Sequence, residues 1–216
     1  MKISPTLTEV KEIAKTGKYD ILPVSCEILS DFITPIEAMR ILQNVSTHCY
    51  LLESAQANEA WGRYTFLGYD PKLEINCIDG HMKLGKLSVE TENPSEYIRQ
   101  ILSEYKSPKF DYLPSFTGGL VGYFSYDYLG YKEKSIRGKA KDTDDFKDVD
   151  LMLFDKVIAF DNLCQKIILI ANMSLDAPET GYNKAIVELK QLRELLMHGE
   201  KKQNMGGKLL GEVTPL

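Results

Sequence analysis

Apolar positions along the chain follow two rhythms, and the changes of rhythm set the expected elements. Spacing of three and four residues marks helices. Leu7, Val10, Ile13 and Ala14 form such a stripe behind Thr6-Leu7-Thr8-Glu9, which reads as a capping box, and Gly17 stops it. Thr34-Pro35-Ile36-Glu37 opens a second helix that runs to Val45, with Thr34 as N-cap and Pro35 at the first helical position. Asn93-Pro94-Ser95-Glu96 caps a third, with Tyr97, Ile98, Ile101, Leu102 and Tyr105 on one face. The longest spans Glu179 to His198, with Tyr182, Ala185, Ile186, Leu189, Leu192, Leu195 and Leu196 along its apolar side and Gly199 as its stop.

Alternation and short apolar runs mark strands. Tyr19 to Leu29 is extended, although Pro23 argues against a central position. Tyr50 to Leu52 and Arg63 to Tyr69 flank a polar loop that carries Trp61, expected to be partly exposed. Lys72 to Ile78 and Met82 to Val89 are joined through Asp79-Gly80, a two-residue hairpin signal. Asp150 to Phe160 and Gln165 to Asn172 surround a second turn at Asp161-Asn162. Phe116 to Asp127 is dense in glycine and aromatic residues. It is expected to be a tightly packed central strand, with Gly118, Gly119 and Gly122 permitting close approach and Phe116, Tyr123, Phe124 and Tyr126 in the core. Its glycines lack the spacing and the lysine of a phosphate loop. Tyr131 to Asp148 is polar and charge-rich, and reads as a long mobile loop. Helices mixed with antiparallel hairpins give an α+β fold, largely antiparallel sheets packed with helices. One domain is expected over residues 1–199, followed by a linker over 200–216.

Composition narrows the function classes. The chain has 216 residues, 44% of them hydrophobic, with a formal net charge of -5. That length can bury a sizeable core. The charge argues against general nucleic-acid binding, which needs clustered Lys and Arg. No apolar run approaches a membrane span, and the N-terminus lacks a signal-peptide core. Cys26, Cys49, Cys77 and Cys164 are widely spaced, without a C-x-x-C pair. They read as reduced, mostly buried thiols of a cytoplasmic protein. His48, His81 and His198 are scattered, so no metal cluster is legible.

The stretch Tyr50 to Pro71 holds the candidate chemistry. An apolar run, Tyr50-Leu51-Leu52, ends abruptly at Glu53 and Ser54. A strand that buries its start and finishes in a carboxylate and a hydroxyl can place polar groups at the mouth of a core. On chemistry alone, a solvent-capped strand end is at least as good a reading.

Four blocks carry a resemblance: YLLES at 50–54, GRYTFLG at 62–68, FTGGLVGYFSYD at 116–127 and DLMLFDKVIAFD at 150–161. In order and rough spacing they resemble the N-terminal domain of anthranilate synthase component I, over nearly the whole chain. The related domain of aminodeoxychorismate synthase component I is the alternative, in which a bound tryptophan is structural. The resemblance implies a regulatory domain. In such enzymes L-tryptophan inhibits by binding between two domains, and the LLES block supplies one wall. Ser54 is then the strongest tryptophan-contacting candidate, with Leu52 and Glu53 beside it. Chorismate and Mg²⁺ belong to a C-terminal half that this chain does not match. No catalytic residue, metal ligand or cofactor is therefore implied here, and the 216 residues alone are expected to be inactive. A glutamine amidotransferase subunit is the implied protein partner.

Strand alternation would put Leu52 and Ser54 on one face and Leu51 and Glu53 on the other. Ser54 is thus expected to point at the ligand, and Glu53 to hold a structural partner, with Arg63 the candidate.

Overall fold

The computed structural model describes residues 1–54, 62–133, 135 and 146–202. The described residues form two antiparallel sheets with four α-helices. In chain order the elements are β1 (Ile3–Ser4), α1 (Leu7–Lys15), β2 (Ile21–Leu29), α2 (Pro35–Val45), β3 (Cys49–Leu52), β4 (Tyr64–Tyr69), β5 (Leu73–Ile78), β6 (His81–Leu84), β7 (Leu87–Glu90), α3 (Pro94–Ser103), β8 (Gly119–Phe124), β9 (Val149–Phe154), β10 (Lys156–Asp161), β11 (Lys166–Ser174) and α4 (Pro178–His198). A short 3-10 helix, Tyr126–Tyr131, follows β8. The six-stranded sheet runs β1-β2-β11-β10-β4-β3 and the five-stranded sheet β7-β6-β5-β9-β8. This is the expected α+β class.

Local chemistry explains most boundaries. Both expected capping boxes form. The Glu37 N–H donates to Thr34 Oγ1 at 3.2 Å while the Thr34 N–H donates to Glu37 Oε2 at 3.2 Å, and Thr6 with Glu9 repeats the exchange on α1. At the β5–β6 hairpin, Asp79 and Gly80 have φ of 50° and 87°, the left-handed pair that a two-residue turn requires.

Alternation along each strand divides the six-stranded sheet. On one face Val24, Leu67, Ile158, Phe160, Ile167 and Leu169 pack beneath Val10 of α1, Ala38, Ile41 and Leu42 of α2, and Ala185, Leu189 and Leu192 of α4. Each fully buried Leu or Ile here contributes about 2 kcal/mol relative to exposure. The opposite face carries Val157, Ala159, Ile168 and Ile170, with Tyr64, Phe66, Phe110 and Phe116 partly buried around them. The five-stranded sheet packs Ile75, Cys77, Met82, Val149 and Leu151 against Ile98 of α3.

Several expectations needed correction. Asp150 to Phe160 is not one strand. β9 belongs to the five-stranded sheet and β10 to the six-stranded sheet, with only Asp155 between them. The charged pair Asp155-Lys156 interrupts the apolar run for only two residues, too short a break for periodicity to tell a change of sheet from an irregularity within one strand. Met82 to Val89 is likewise two strands, β6 and β7, turning at Gly85.

Phe116 to Asp127 is not a central strand. β8 is the last strand of its sheet, and the chain then coils into the 3-10 helix. Tyr123, Phe124 and Tyr126 are exposed rather than in the core, whereas Phe116 is half-buried. Close approach by glycine does hold. Gly122 has φ of 152°, and a Cβ there would overlap the Asp150 carbonyl oxygen of β9.

Pro23 lies inside β2, opposite Asn172 of β11. It is tolerated because β1 covers only Ser25 and Cys26, so the other edge at Pro23 has no strand beside it among the described residues.

Most of the expected mobile loop from Tyr131 to Asp148, residues 134 and 136–145, lies outside the described residues; Tyr131 and Asp148 themselves are held in place. The Tyr131 hydroxyl donates to Asp148 Oδ2 and accepts the Gly80 N–H, each at 2.7 Å, and the Asp148 N–H reaches the Cys77 carbonyl at 2.8 Å. Beyond α4, residues 200–202 turn back along α2. The Asn44 amide donates to the Glu200 carbonyl at 2.6 Å, the Lys202 N–H donates to the Arg40 carbonyl at 3.0 Å, and Lys201 pairs with Glu37. The rest of the expected linker, 203–216, lies outside the described residues.

Candidate ligand-binding end of the six-stranded sheet

Among the described residues β3 is the outer strand of the six-stranded sheet, paired only with β4. Its register is Cys49↔Tyr69, Tyr50↔Gly68, Leu51↔Leu67 and Leu52↔Phe66. Residues directly opposite share a face. Leu51 therefore lies with Leu67 on the helix-covered side, and Leu52 lies with Phe66 and Ala159 on the other. Leu52 is the last paired residue and is 47% exposed. Glu53 and Ser54 follow it, both exposed and both beyond the strand. The alternation rule thus constrains Leu52 and stops one residue short of Glu53.

An aromatic row backs this end of the sheet. Tyr64 and Phe66 have ring centroids 5.8 Å apart, Phe66 meets Phe116 edge-on at 5.6 Å, and Tyr50 packs edge-on against Phe154 at 4.7 Å. Tyr50 lies over Gly68, where any Cβ would overlap its ring. Its hydroxyl is buried and has no hydrogen-bond partner among the described residues, and burial pushes its pKa up. The Tyr64 hydroxyl is also pushed up, mainly by burial and further by the Asp161 carboxylate.

The expected Glu53–Arg63 pair is not what forms. Arg63 makes a two-pronged contact with Asp161 at the end of β10, Nε to Oδ1 at 3.1 Å and Nη2 to Oδ2 at 2.7 Å. The N–H groups of Leu163 and Cys164 also donate to Asp161 Oδ1, at 3.2 and 3.1 Å. Asp161 is 1% exposed. Burial alone would push its carboxyl up, but the Arg63 guanidinium and the Cys164 N–H outweigh that and hold it down at about 2. The guanidinium also sits 4.9 Å from the Tyr64 ring centroid and 3.6 Å from the Cys164 sulfur. Cys164 is exposed, unlike the buried Cys26 and Cys77, and all four cysteines are free thiols.

Asp161 escaped the sequence reading because Asp-Asn at a strand end looks like an ordinary turn. The signal that could have found it is the basic residue at the matching end of β4, one register step away. Trp61 lies outside the described residues. Glu53 and Ser54 thus stand at one sheet end with Leu52, half-buried aromatic rings and a neutralised Arg–Asp clamp. That set can take a flat apolar group on its aromatic side and hydrogen-bond a polar group at its rim. Among the described residues, no group of three or more His, Cys, Asp or Glu side chains could hold a metal ion. No helix there is long and apolar enough to cross a membrane.

No family model matches the chain. Anthranilate synthase component 1 of Acetivibrio thermocellus is 34% identical over 198 residues, covering 89% of this chain and 39% of that protein. The protein of the same name from Pseudomonas aeruginosa is 35% identical over 197 residues, covering 87% and 39%. The crystal structure of anthranilate synthase component I from Streptococcus pneumoniae superimposes with a TM-score of 0.50 at 25% identity, covering 77% of this chain and 36% of that one. The chain therefore spans about two fifths of the length of the curated relatives it matches.

Proposed function

The chain belongs by sequence to the anthranilate synthase component I family, and from that premise we propose that it is the regulatory domain of such an enzyme. In this reading Leu52, Glu53 and Ser54 form one wall of an L-tryptophan feedback site. The whole enzyme converts chorismate and ammonia to anthranilate and pyruvate, a step of tryptophan biosynthesis. The chorismate and Mg²⁺ chemistry belongs to the part of the relatives' length that this chain does not span. A second component, a glutamine amidotransferase, supplies the ammonia.

The observation that carries the reading is the finish of β3. Pairing stops at Leu52, and an exposed carboxylate and hydroxyl follow directly beside half-buried aromatic rings. A free amino acid with an indole needs that combination. Its ammonium takes carboxylate or carbonyl acceptors, its carboxylate takes hydroxyl or N–H donors, and its ring takes an apolar slot. An open wall of this kind encloses too little of the ligand for tight binding without a second surface.

The test uses an enzyme carrying this domain together with its chorismate-binding part. Anthranilate formation from chorismate and ammonia is followed by fluorescence while tryptophan is titrated. Ser54→Leu should raise the inhibitory tryptophan concentration at least about tenfold, a loss of about 1.4 kcal/mol, and leave the KM for chorismate within about twofold. Unchanged inhibition in Ser54→Leu would remove Ser54 from the site. Absence of inhibition in the parent enzyme would overturn the regulatory assignment.

A further inference from the structure

The wall assigned to tryptophan, Leu52 to Ser54, depends on few attachments. Among the described residues β3 pairs only with β4, and the last pair is Leu52 with Phe66. Arg63, Tyr64 and Thr65 lie beyond that pair, at the start of β4, and they are held from the opposite side. The β10 ladder continues to Thr65 and Tyr64, opposite Phe160 and Asp161. The Asn162 N–H donates to the Arg63 carbonyl at 2.9 Å, and the Asn162 amide donates to Thr65 Oγ1 at 3.3 Å. At the tip, the Arg63 guanidinium makes its two-pronged contact with Asp161.

The turn between β10 and β11 has its own fastening. The Leu163 and Cys164 N–H groups donate to Asp161 Oδ1 whether or not Arg63 is present. What the guanidinium adds is direction, because a two-pronged contact with a planar carboxylate fixes an angle as well as a distance. The same guanidinium lies 4.9 Å from the centroid of the Tyr64 ring. Tyr64 is 5.8 Å from Phe66, and Phe66 meets Phe116 edge-on. Alternation places Tyr64 and Phe66 on the sheet face that Leu52 shares. A chain of printed contacts thus runs from the buried Asp161 through Arg63 to the rings beside Leu52.

We propose that Arg63 is a positioning residue for feedback inhibition. Clamped by Asp161, it holds the Tyr64–Phe66 surface at the angle on which the indole of tryptophan rests, and it does not touch the ligand. The role rests on the tryptophan reading of Leu52, Glu53 and Ser54. It adds to that run two residues from elsewhere in the chain that govern the response to the inhibitor.

The test uses the same enzyme, carrying this domain together with its chorismate-binding part, and the same tryptophan titration. Arg63→Lys keeps a positive charge for Asp161 but offers neither the two-pronged contact nor a planar group beside Tyr64. It should raise the inhibitory tryptophan concentration at least about fivefold and leave kcat and KM for chorismate, without tryptophan, within about twofold. Asp161→Asn keeps an oxygen for the Leu163 and Cys164 N–H groups and releases the guanidinium. It should weaken inhibition to a similar extent, and combining the two should add little, because each opens the same clamp. Gly122→Ala strains the other sheet through overlap with the Asp150 carbonyl. It should leave inhibition within about twofold, which separates positioning from a general loss of stability. Inhibition that Ser54→Leu weakens but Arg63→Lys and Asp161→Asn leave unchanged would overturn the positioning role alone. An equal loss of inhibition in Gly122→Ala, or a matching fall in kcat in Arg63→Lys, would do the same. A parent enzyme that tryptophan does not inhibit would overturn the tryptophan reading and this role with it.

Discussion

Removing the Arg63 guanidinium should destabilise the fold in a pH-dependent way. Asp161 is almost wholly buried, whereas Arg63 is 36% exposed on its side chain. Arg63→Ala deletes two of the four hydrogen bonds that reach the carboxylate and leaves only the Leu163 and Cys164 N–H groups. Stranding a buried carboxylate costs about 3–5 kcal/mol, and the partly exposed partner places this case near 3 kcal/mol. The pH dependence follows from the carboxyl being held at about 2 in the fold, against about 3.9 when unfolded. A depressed carboxylate pKa gives stability that is fully present above the unfolded value and is lost as pH falls through the folded value. The difference is worth about 2.5 kcal/mol, at about 1.4 kcal/mol per pH unit. In Arg63→Ala burial dominates and the carboxyl rises, so at pH 3 it is protonated and no longer a stranded charge. Urea unfolding followed by circular dichroism should give a cost of about 3 kcal/mol at pH 7 and no more than about half of that at pH 3. Arg63→Met combined with Asp161→Leu should recover most of the loss at pH 7, since the stranded charge is gone. A cost below about 0.5 kcal/mol, the range of exposed pairs, or an equal cost at both pH values, would refute the clamp.

Two other substitutions test how the sheets are joined. Gly122→Ala combines a φ of 152° with overlap of the Asp150 backbone oxygen, so it should cost about 3 kcal/mol in thermal unfolding. A loss under about 1 kcal/mol would mean that β8 is free to move away from β9. Tyr50→Phe removes a buried hydroxyl that has no partner among the described residues. Stability should therefore stay the same or rise by up to about 1 kcal/mol, and a loss larger than that in urea unfolding would show that the hydroxyl is hydrogen-bonded after all.

Local features of this fold were legible wherever neighbouring residues decide the outcome. Thr6 with Glu9 and Thr34 with Glu37 form their boxes because both partners lie within one helical turn. Asp79-Gly80 turns because its backbone preference is intrinsic to those two residues. What escaped depends on residues far apart in the chain. Asp155 and Lys156 break the hydrophobic run for only two residues between two buried strands, with no glycine, proline or loop, so nothing in the sequence marks the change of sheet. The glycines of 116–127 announced close approach to a neighbour but not its number. Among the described residues β8 has β9 on one side only, and Tyr123, Phe124 and Tyr126 at its end are exposed. At the candidate site, resemblance singled out Leu52, Glu53 and Ser54, but the partner of Arg63 could not be read. Asp161 lies 98 positions away and meets Arg63 only because β10 pairs with β4.

That pairing also separates the tasks of two adjacent leucines. The register puts Leu51 opposite Leu67, on the side sealed by α1, α2 and α4, where Leu67 is fully buried. Leu52 stands opposite Phe66, on the side where Tyr64, Phe66 and Phe116 are only partly buried. A side chain lost at Leu51 removes contacts with the helix-covered core, so its effect belongs to folding. A side chain lost at Leu52, already half in solvent, removes little from the core, so any effect on ligand response belongs to binding. The run Leu51-Leu52-Glu53-Ser54 therefore divides by position in the sheet rather than by residue type. Its first leucine fastens the outer strand to the core, and its second marks where the strand stops pairing and the exposed polar residues begin.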